Sequence, residues 1–261
     1  MAEFLTFQLR GDMASWGDIA VGEQRPTLPF PTKSAILGLL AAALGIDREA
    51  DEHHRELTAS IRYGVKIFSN PLLNNRRSTE RFSGHSAVGG FLRDYQTVQS
   101  ASVSDVRQFS KKFNRRPASR YDEIQAMKIG GTGGAILSFR DYWLDVFYVV
   151  AIESVSASQF SIQALKSALL EPKFHLYLGR KACPLSLPLD PSITEANTIK
   201  EALNQFECKN EFCPQYSDSS FYVEWQASDN VETSQIEEYR AVPRSRSKWQ
   251  FDTHRMVHSD L

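Results

Sequence analysis

The chain opens on an alternation. Across Phe4 to Arg10, Leu5, Phe7 and Leu9 share one side of an extended segment, and Thr6, Gln8 and Arg10 share the other. That period of two predicts a strand. The period then lengthens. From Lys33 to Leu44 every residue except Lys33, Ser34 and Gly38 is apolar, which predicts a helix buried all round. Thr32 stands where an N-cap belongs, and Gly45 where the glycine after a helix belongs. Between strand and helix lies a polar loop with Trp16, Arg25, Pro26, Pro29 and Pro31. The first turn of the helix is polar and basic, so its N-terminus is expected at the surface. There, open backbone N–H groups, Arg25, Lys33 and Ser34 would converge on an anion. The plainer alternative is ordinary capping beside a solvated lysine.

Further elements follow. A short polar helix is predicted at about Arg48 to Thr58 and a strand at Ile61 to Phe68. Leu144 to Ile152 is apolar on both faces except at Asp145, the mark of a central strand. A helix over about Gln159 to Leu170 carries Ile162, Leu165 and Leu169 on one stripe and stops before Pro172. This order gives most of a βαββαβ unit, so the fold class is α+β with a ferredoxin-like, RRM-like core. Ser69 to Phe139 is an insertion far longer than a normal connection. Ser192 and Glu195 read as a capping box opening a third helix with Ile199, Leu203 and Phe206 on one face. Strand candidates FYVEWQ (Phe221 to Gln226) and KWQF (Lys248 to Phe251) suggest a small C-terminal β extension. The expected organisation is a domain at 1–190, its insertion at about 69–139, and an extension at 191–261 on the same core.

Composition changes this picture little. The 261 residues are 42% hydrophobic and 23% charged, ordinary for a soluble globular chain. No apolar run is long enough to span a membrane, and no secretory signal opens the chain, so a cytoplasmic protein is expected. Three cysteines, Cys183, Cys208 and Cys213, are too few for a disulfide framework or a zinc site, and reduced thiols are expected.

Charge changes it more. The net charge is −1, but it is unevenly spread. Arg107 to Arg120 holds six basic residues and no acid; Arg240 to Arg255 is also basic; Glu207 to Glu238 holds eight acids and one lysine. Such segregation suggests one phosphate-facing surface. Arg107, Lys111, Lys112, Arg115 and Arg116, interleaved with Phe109, Phe113 and Tyr121, are candidates for nucleic-acid contact, against the alternative of a solvated loop. Arg93 and Tyr95 flank Asp94 on one strand face, an arginine for phosphate and a tyrosine for a base or sugar. The alternative is an arginine–aspartate pair that stiffens the insertion. Trp16 either stacks on a base or lids the core. The run Gly130 to Gly134 lacks the Gly-Lys-Ser/Thr of a phosphate loop and reads as a flexible joint.

Several segments together resemble the CasD family of Cascade subunits from CRISPR systems. They are Gly11-Asp12-Met13-Ala14-Ser15-Trp16-Gly17, Arg25-Pro26-Thr27, Phe30-Pro31-Thr32-Lys33-Ser34 and Gly38-Leu39-Leu40, then LRDYQTV (Leu92 to Val98), YLGRKACPLSLPL (Tyr177 to Leu189) and VPRSRSKW (Val242 to Trp249). The resemblance implies a non-catalytic subunit that binds the 5′ handle of the guide RNA (crRNA). It implies backbone (CasC-like) and large (CasA-like) subunits as partners, target DNA within the complex, and a prokaryotic cytoplasm, with no membrane, metal or cofactor. It implies that the insertion projects as a β-hairpin thumb on a backbone subunit. It also implies that Gly179, Arg180 and Lys181 form a loop facing RNA, and it draws Arg244 into the RNA-binding set.

A second class of function remains, a metal-independent ribonuclease that processes the guide precursor. It needs a base near the 2′-OH and an acid near the leaving oxygen. His85, His175, Tyr121, Lys111 and Lys112 have the chemistry, but no spacing joins them. The motifs resemble the branch with a separate processing nuclease, so no catalytic residue is assigned.

Overall fold

Strand β1 (Ala2–Ala14) is buried on both faces rather than one. Leu5, Phe7 and Leu9 enter the main core, while Phe4 joins a second, smaller one. The polar residues between them are satisfied in place. Thr6 shares a hydrogen bond with the Ser192 hydroxyl at 2.9 Å, and the Gln8 amide donates to the Pro188 carbonyl at 2.8 Å. A computed structural model of the chain describes residues 1–69, 90–155, 158–209, 218–225, 236–248 and 250–260. They fall into two compact units: Met1–Ile19, Pro26–Leu92 and Tyr142–Leu261 form the first, Ala20–Arg25 and Arg93–Asp141 the second.

In the first unit a short ribbon, β2 (Trp16–Gly17) with β4 (Thr27–Leu28), leads to helix α1 (Lys33–Leu44); β3 (Gln24–Arg25) lies between them in sequence and belongs to the second unit. The expected helix ends are observed. The Thr32 hydroxyl accepts from the Ala35 N–H, and Gly45 takes the left-handed conformation (φ 76°) while the chain returns bonds to the Ala41 and Ala42 carbonyls. Helix α2 (Asp51–Ser60) and strand β5 (Ile61–Ser69) follow.

The second unit holds β6 (Phe91–Ser100), whose last eight residues fall in it, then helices α3 (Val103–Phe113) and α4 (Arg120–Gly130) and the first part of β7 (Gly134–Ser154). Both β3 and β6 pair with β7. The basic run, for which a solvated loop is the alternative to nucleic-acid contact, is therefore largely helical. Ser102 and Asp105 make a reciprocal capping box at the start of α3, and Ser119 caps α4. The expected glycine joint is packed at Gly130 and Gly133, while Gly131 and Gly134 lie in open space. A Cβ on Gly130 would lie 1.9 Å from Asp105 Oδ1, and the same carboxylate accepts from the Thr132 N–H and hydroxyl. Residues 70–89 of the expected insertion, with His85, lie outside the described residues.

The rest of β7 returns to the first unit, followed by α5 (Ile162–Leu170), β8 (Ser192–Ala196), α6 (Ile199–Gln205), β9 (Asp218–Glu224), β10 (Ile236–Ser245) and β11 (Gln250–Asp260). The main sheet runs β10-β11-β9-β5-β7-β1-β8, antiparallel at every step. Asp145, the acid in the apolar strand, has φ 54° and pairs with Arg10. One helix start moves. Ser192 to Glu195 is strand, because it pairs along β1 and the Ser192 hydroxyl serves Thr6; Thr198 caps α6 instead. The C-terminal candidates become β9 and β11, but Lys248 sits in a turn. Cys208 is disulfide-bonded, which corrects the expectation of three reduced thiols; Cys183 is free and buried.

Candidate nucleic-acid interface

The first turn of α1 is not an open anion site. Lys33 is 6% exposed, and its Nζ donates to Glu224 Oε1 at 2.6 Å and to the Ile61 carbonyl at 3.3 Å. An internal carboxylate from β9 takes the place of the expected external anion. Beneath the pair lies His254, whose ring nitrogens have no hydrogen-bond partner among the described residues. Burial, then the Lys33 charge, pushes its pKa down to about 4. Ser34 is half-buried, and its carbonyl accepts from Arg246. Arg25 belongs to the second unit, where its guanidinium donates to the Gly22 and Gln24 carbonyls at 2.7 and 2.9 Å.

Trp16 lids the core. It is 1% exposed, its indole N–H donates to the Tyr148 hydroxyl at 3.1 Å, and the two rings meet edge to face. That geometry removes it as a base-stacking platform. The adjoining loop is built by close backbone approach. Gly179 has φ 83°, and a Cβ there would lie 1.9 Å from the Ser15 carbonyl oxygen, so any side chain would both strain and clash. The turn closes through Leu178 N–H to Cys183 O and Cys183 N–H to Arg180 O, each 2.8 Å. The Arg180 guanidinium lies 4.8 Å over the Tyr142 ring, while Lys181 is exposed. Arg244 is exposed on β10.

In the second unit the cations divide by partner. Arg93 grips Asp141 with two bonds of 2.7 and 2.8 Å, which raises its own pKa. An arginine–aspartate pair, the alternative to RNA contact on this strand, is present, with Asp141 as the partner. Arg115 grips Asp122 likewise at 2.6 and 2.7 Å, holding that carboxyl far below its usual range, and Arg120 pairs with Glu123. Arg107, Lys111, Lys112 and Arg116 are exposed, and no carboxylate among the described residues pairs with them. Tyr95 (54% exposed), Phe113 and Tyr121 are exposed aromatics of this unit; Tyr95 also packs on Phe139. A helical pair with outward cations and open rings can bind phosphodiesters and stack bases without sequence choice. Among the described residues no cluster of His, Cys, Asp or Glu could hold a metal ion, and no helix is long and apolar enough to cross a membrane.

Glu224 and Asp141 escaped the sequence analysis because their partners are far away in the chain. Arg246 also escaped, although Gly38, a lone glycine inside an apolar helix, is a signal of close approach.

Set beside known proteins, the chain falls in a class of CRISPR-associated proteins. The family model described as "CRISPR-associated protein (Cas_Cas5)" matches residues 4–257, and the chain belongs to this Cas5 family. It is 31% identical over 207 residues to "CRISPR system Cascade subunit CasD" of Escherichia coli (strain K12), covering 79% of this chain and 78% of that one. A solved "CRISPR RNA-guided surveillance complex" contains a chain of the same fold, with TM-score 0.61 and 21% identity, covering 99% of this chain and 90% of that one. A second, "Crystal structure of Cas protein", gives TM-score 0.55 and 22% identity, covering 99% and 94%.

Proposed function

We propose that the chain is a non-catalytic subunit of a Cascade-type CRISPR surveillance complex in the prokaryotic cytoplasm. It binds the 5′ handle of the guide RNA and contacts CasC-like backbone subunits and a CasA-like large subunit during recognition of target DNA. Membership of the Cas5 family and the CasD likeness support the assembly. The observation that carries the RNA contact is the carboxylate-free set Arg107, Lys111, Lys112 and Arg116 in a chain of net charge −1. Tyr95 is exposed in the same unit and joins this set. In the first unit Lys181 and Arg244 are exposed and are proposed as separate RNA contacts, with Gly179 and Arg180 shaping the loop that carries Lys181.

The strand order β8-β1-β7-β5 with α1 and α5 supports a ferredoxin-like core. We assign that core to 1–190 completed by β8 (Ser192–Ala196), with its insertion as the thumb, and the rest of 191–261 as the extension. Lys33 and Trp16 act in this scheme by fixing the fold of the first unit. In the assembled complex, photocrosslinking should join this chain to the first few guide nucleotides, and repeat RNA with chelator should stay intact. Crosslinks confined to other subunits, or a discrete cut by the chain alone, would refute the proposal.

A further inference from the structure

Arg246 is a cation that the proposed surface does not use. It leaves the turn after β10 and lies along the flank of α1, donating from Nη2 to the Ser34 carbonyl. Its Nη1 and Nη2 lie 3.1 and 3.3 Å from where a Cβ on Gly38 would stand. A glycine inside a helix destabilises it relative to alanine, and α1 carries one at the place the guanidinium crosses. The turn itself is fixed. Asp51 accepts from the Ser245 and Ser247 hydroxyls at 3.0 and 2.7 Å, and Arg48 Nε donates to the Arg246 carbonyl at 3.3 Å.

No carboxylate among the described residues pairs with Arg246, and its Nε is buried without a hydrogen-bond partner. Burial, then the like charge of Arg48, lowers its pKa. A buried charge without a counter-ion is destabilising unless something else compensates it. Beside the guanidinium opens a cavity of about 410 Å³ lined by Arg48, Arg246, Tyr177, His54, Phe174 and Asp47, among others.

We propose that this cleft is a phosphate site, with Arg246 and Arg48 as its cationic ligands. The planar guanidinium fork matches phosphate oxygens, and two arginines at one cleft are suited to grip them. Tyr177 adds a phenol beside Arg246. His54 is held towards its neutral form by burial, and its ring is engaged by the Asp47 carbonyl at 3.0 Å, so it adds no charge. Asp47, the carboxylate on the lining, disfavours a dianion. The ligand is therefore a phosphodiester monoanion rather than free phosphate. That this phosphodiester belongs to the guide RNA rests on the function proposed above; the site itself does not.

Two arms separate the sources. The first titrates the full chain with inorganic phosphate and with a dinucleoside monophosphate, which carries one phosphodiester, followed by phosphorus NMR. The dinucleoside should bind more tightly than phosphate, and Arg48→Ala and Arg246→Gln should each weaken it by about tenfold or more, as loss of a charge-assisted bond does. Gly38→Ala, which crowds the guanidinium, should act in the same direction. Arg48 is at the surface, so Arg48→Ala reports even if Arg246→Gln fails to fold. Equal binding by wild type and Arg48→Ala, or no binding by wild type, overturns the site; tighter binding of inorganic phosphate overturns the phosphodiester assignment. The second arm uses the assembled complex with phosphorothioates along the guide handle. One position should interfere in wild type and not in Arg48→Ala. If no position does so while the first arm succeeds, the site stands and the guide as its source falls.

Discussion

The first turn of α1 and the α3–α4 hairpin are both capped by a hydroxyl and both carry cations, yet they use them oppositely. At α1 the lysine is drawn inward onto Glu224 and vanishes from the surface. In the α3–α4 hairpin, Arg115 is held by Asp122 and Arg120 by Glu123, while Arg107, Lys111, Lys112 and Arg116 stay outward. The difference lies in where the carboxylate comes from. Asp122 is seven residues from Arg115, so that pair can form within the helical hairpin and leave its neighbours free. Glu224 is 191 residues from Lys33, and it ties α1 to β9. A long-range carboxylate makes a cation part of the fold; a local one stiffens the scaffold that presents other cations.

The contrast breaks most directly at Glu224. Glu224→Ala leaves the Lys33 ammonium buried without a counter-charge, with only the Ile61 carbonyl as partner, which should cost about 3–5 kcal/mol in urea unfolding. The double change Lys33→Met, Glu224→Leu should recover most of that loss, because replacing a buried pair by apolar groups of similar size is often neutral. A loss below about 1 kcal/mol for Glu224→Ala would mean that Lys33 reaches water easily, and the two regions would then be alike.

Acid probes the same buried cluster. His254 has a folded pKa of about 4 against an ordinary 6.5, so the folded state resists its protonation. The stability this contributes is present above pH 6.5 and is lost as pH falls from 6.5 towards 4. The loss is up to about 3 kcal/mol, at 1.4 kcal/mol per unit. Lys33, Glu224, Tyr63 and Tyr239 face the ring, and burial holds both tyrosines protonated throughout that range. His254→Gln should flatten this limb of the curve. An unchanged limb would place the acid sensitivity elsewhere in the chain.

The same distinction explains what the amino-acid pattern revealed. The cap at Thr32, the stop at Gly45, strands β1 and β5 and helix α5 follow from local periodicity and turn chemistry, and they were legible. The alternation in β1 predicted one covered face, but both are covered, because Gln8 and Thr6 meet partners some 180 residues away. Ser192 and Glu195 had the spacing of a helix cap, and pairing along β1 overrode it. At the candidate site the sequence found the cations but could not sort them. Lys33 and Arg93 are sorted by Glu224 and Asp141, which no local rule connects to them.

The smallest effect on stability should accompany a large effect on binding. Replacing Arg107, Lys111, Lys112 and Arg116 together by alanine removes exposed side chains without ion pairs among the described residues. Each change should alter stability by less than about 0.5 kcal/mol. Binding of guide-length RNA tells a different story, since each phosphate contact contributes about 0.7 to the slope of log affinity against log salt for single strands. Four lost contacts should flatten that slope by up to about 3. Arg120→Ala, whose guanidinium already serves Glu123, should flatten it less than Arg116→Ala does. If Arg120→Ala flattens it as much, the internal pair does not withhold a cation from RNA, and the division between committed and outward charges fails. If the fourfold variant keeps the wild-type slope, the hairpin's charges serve some other surface.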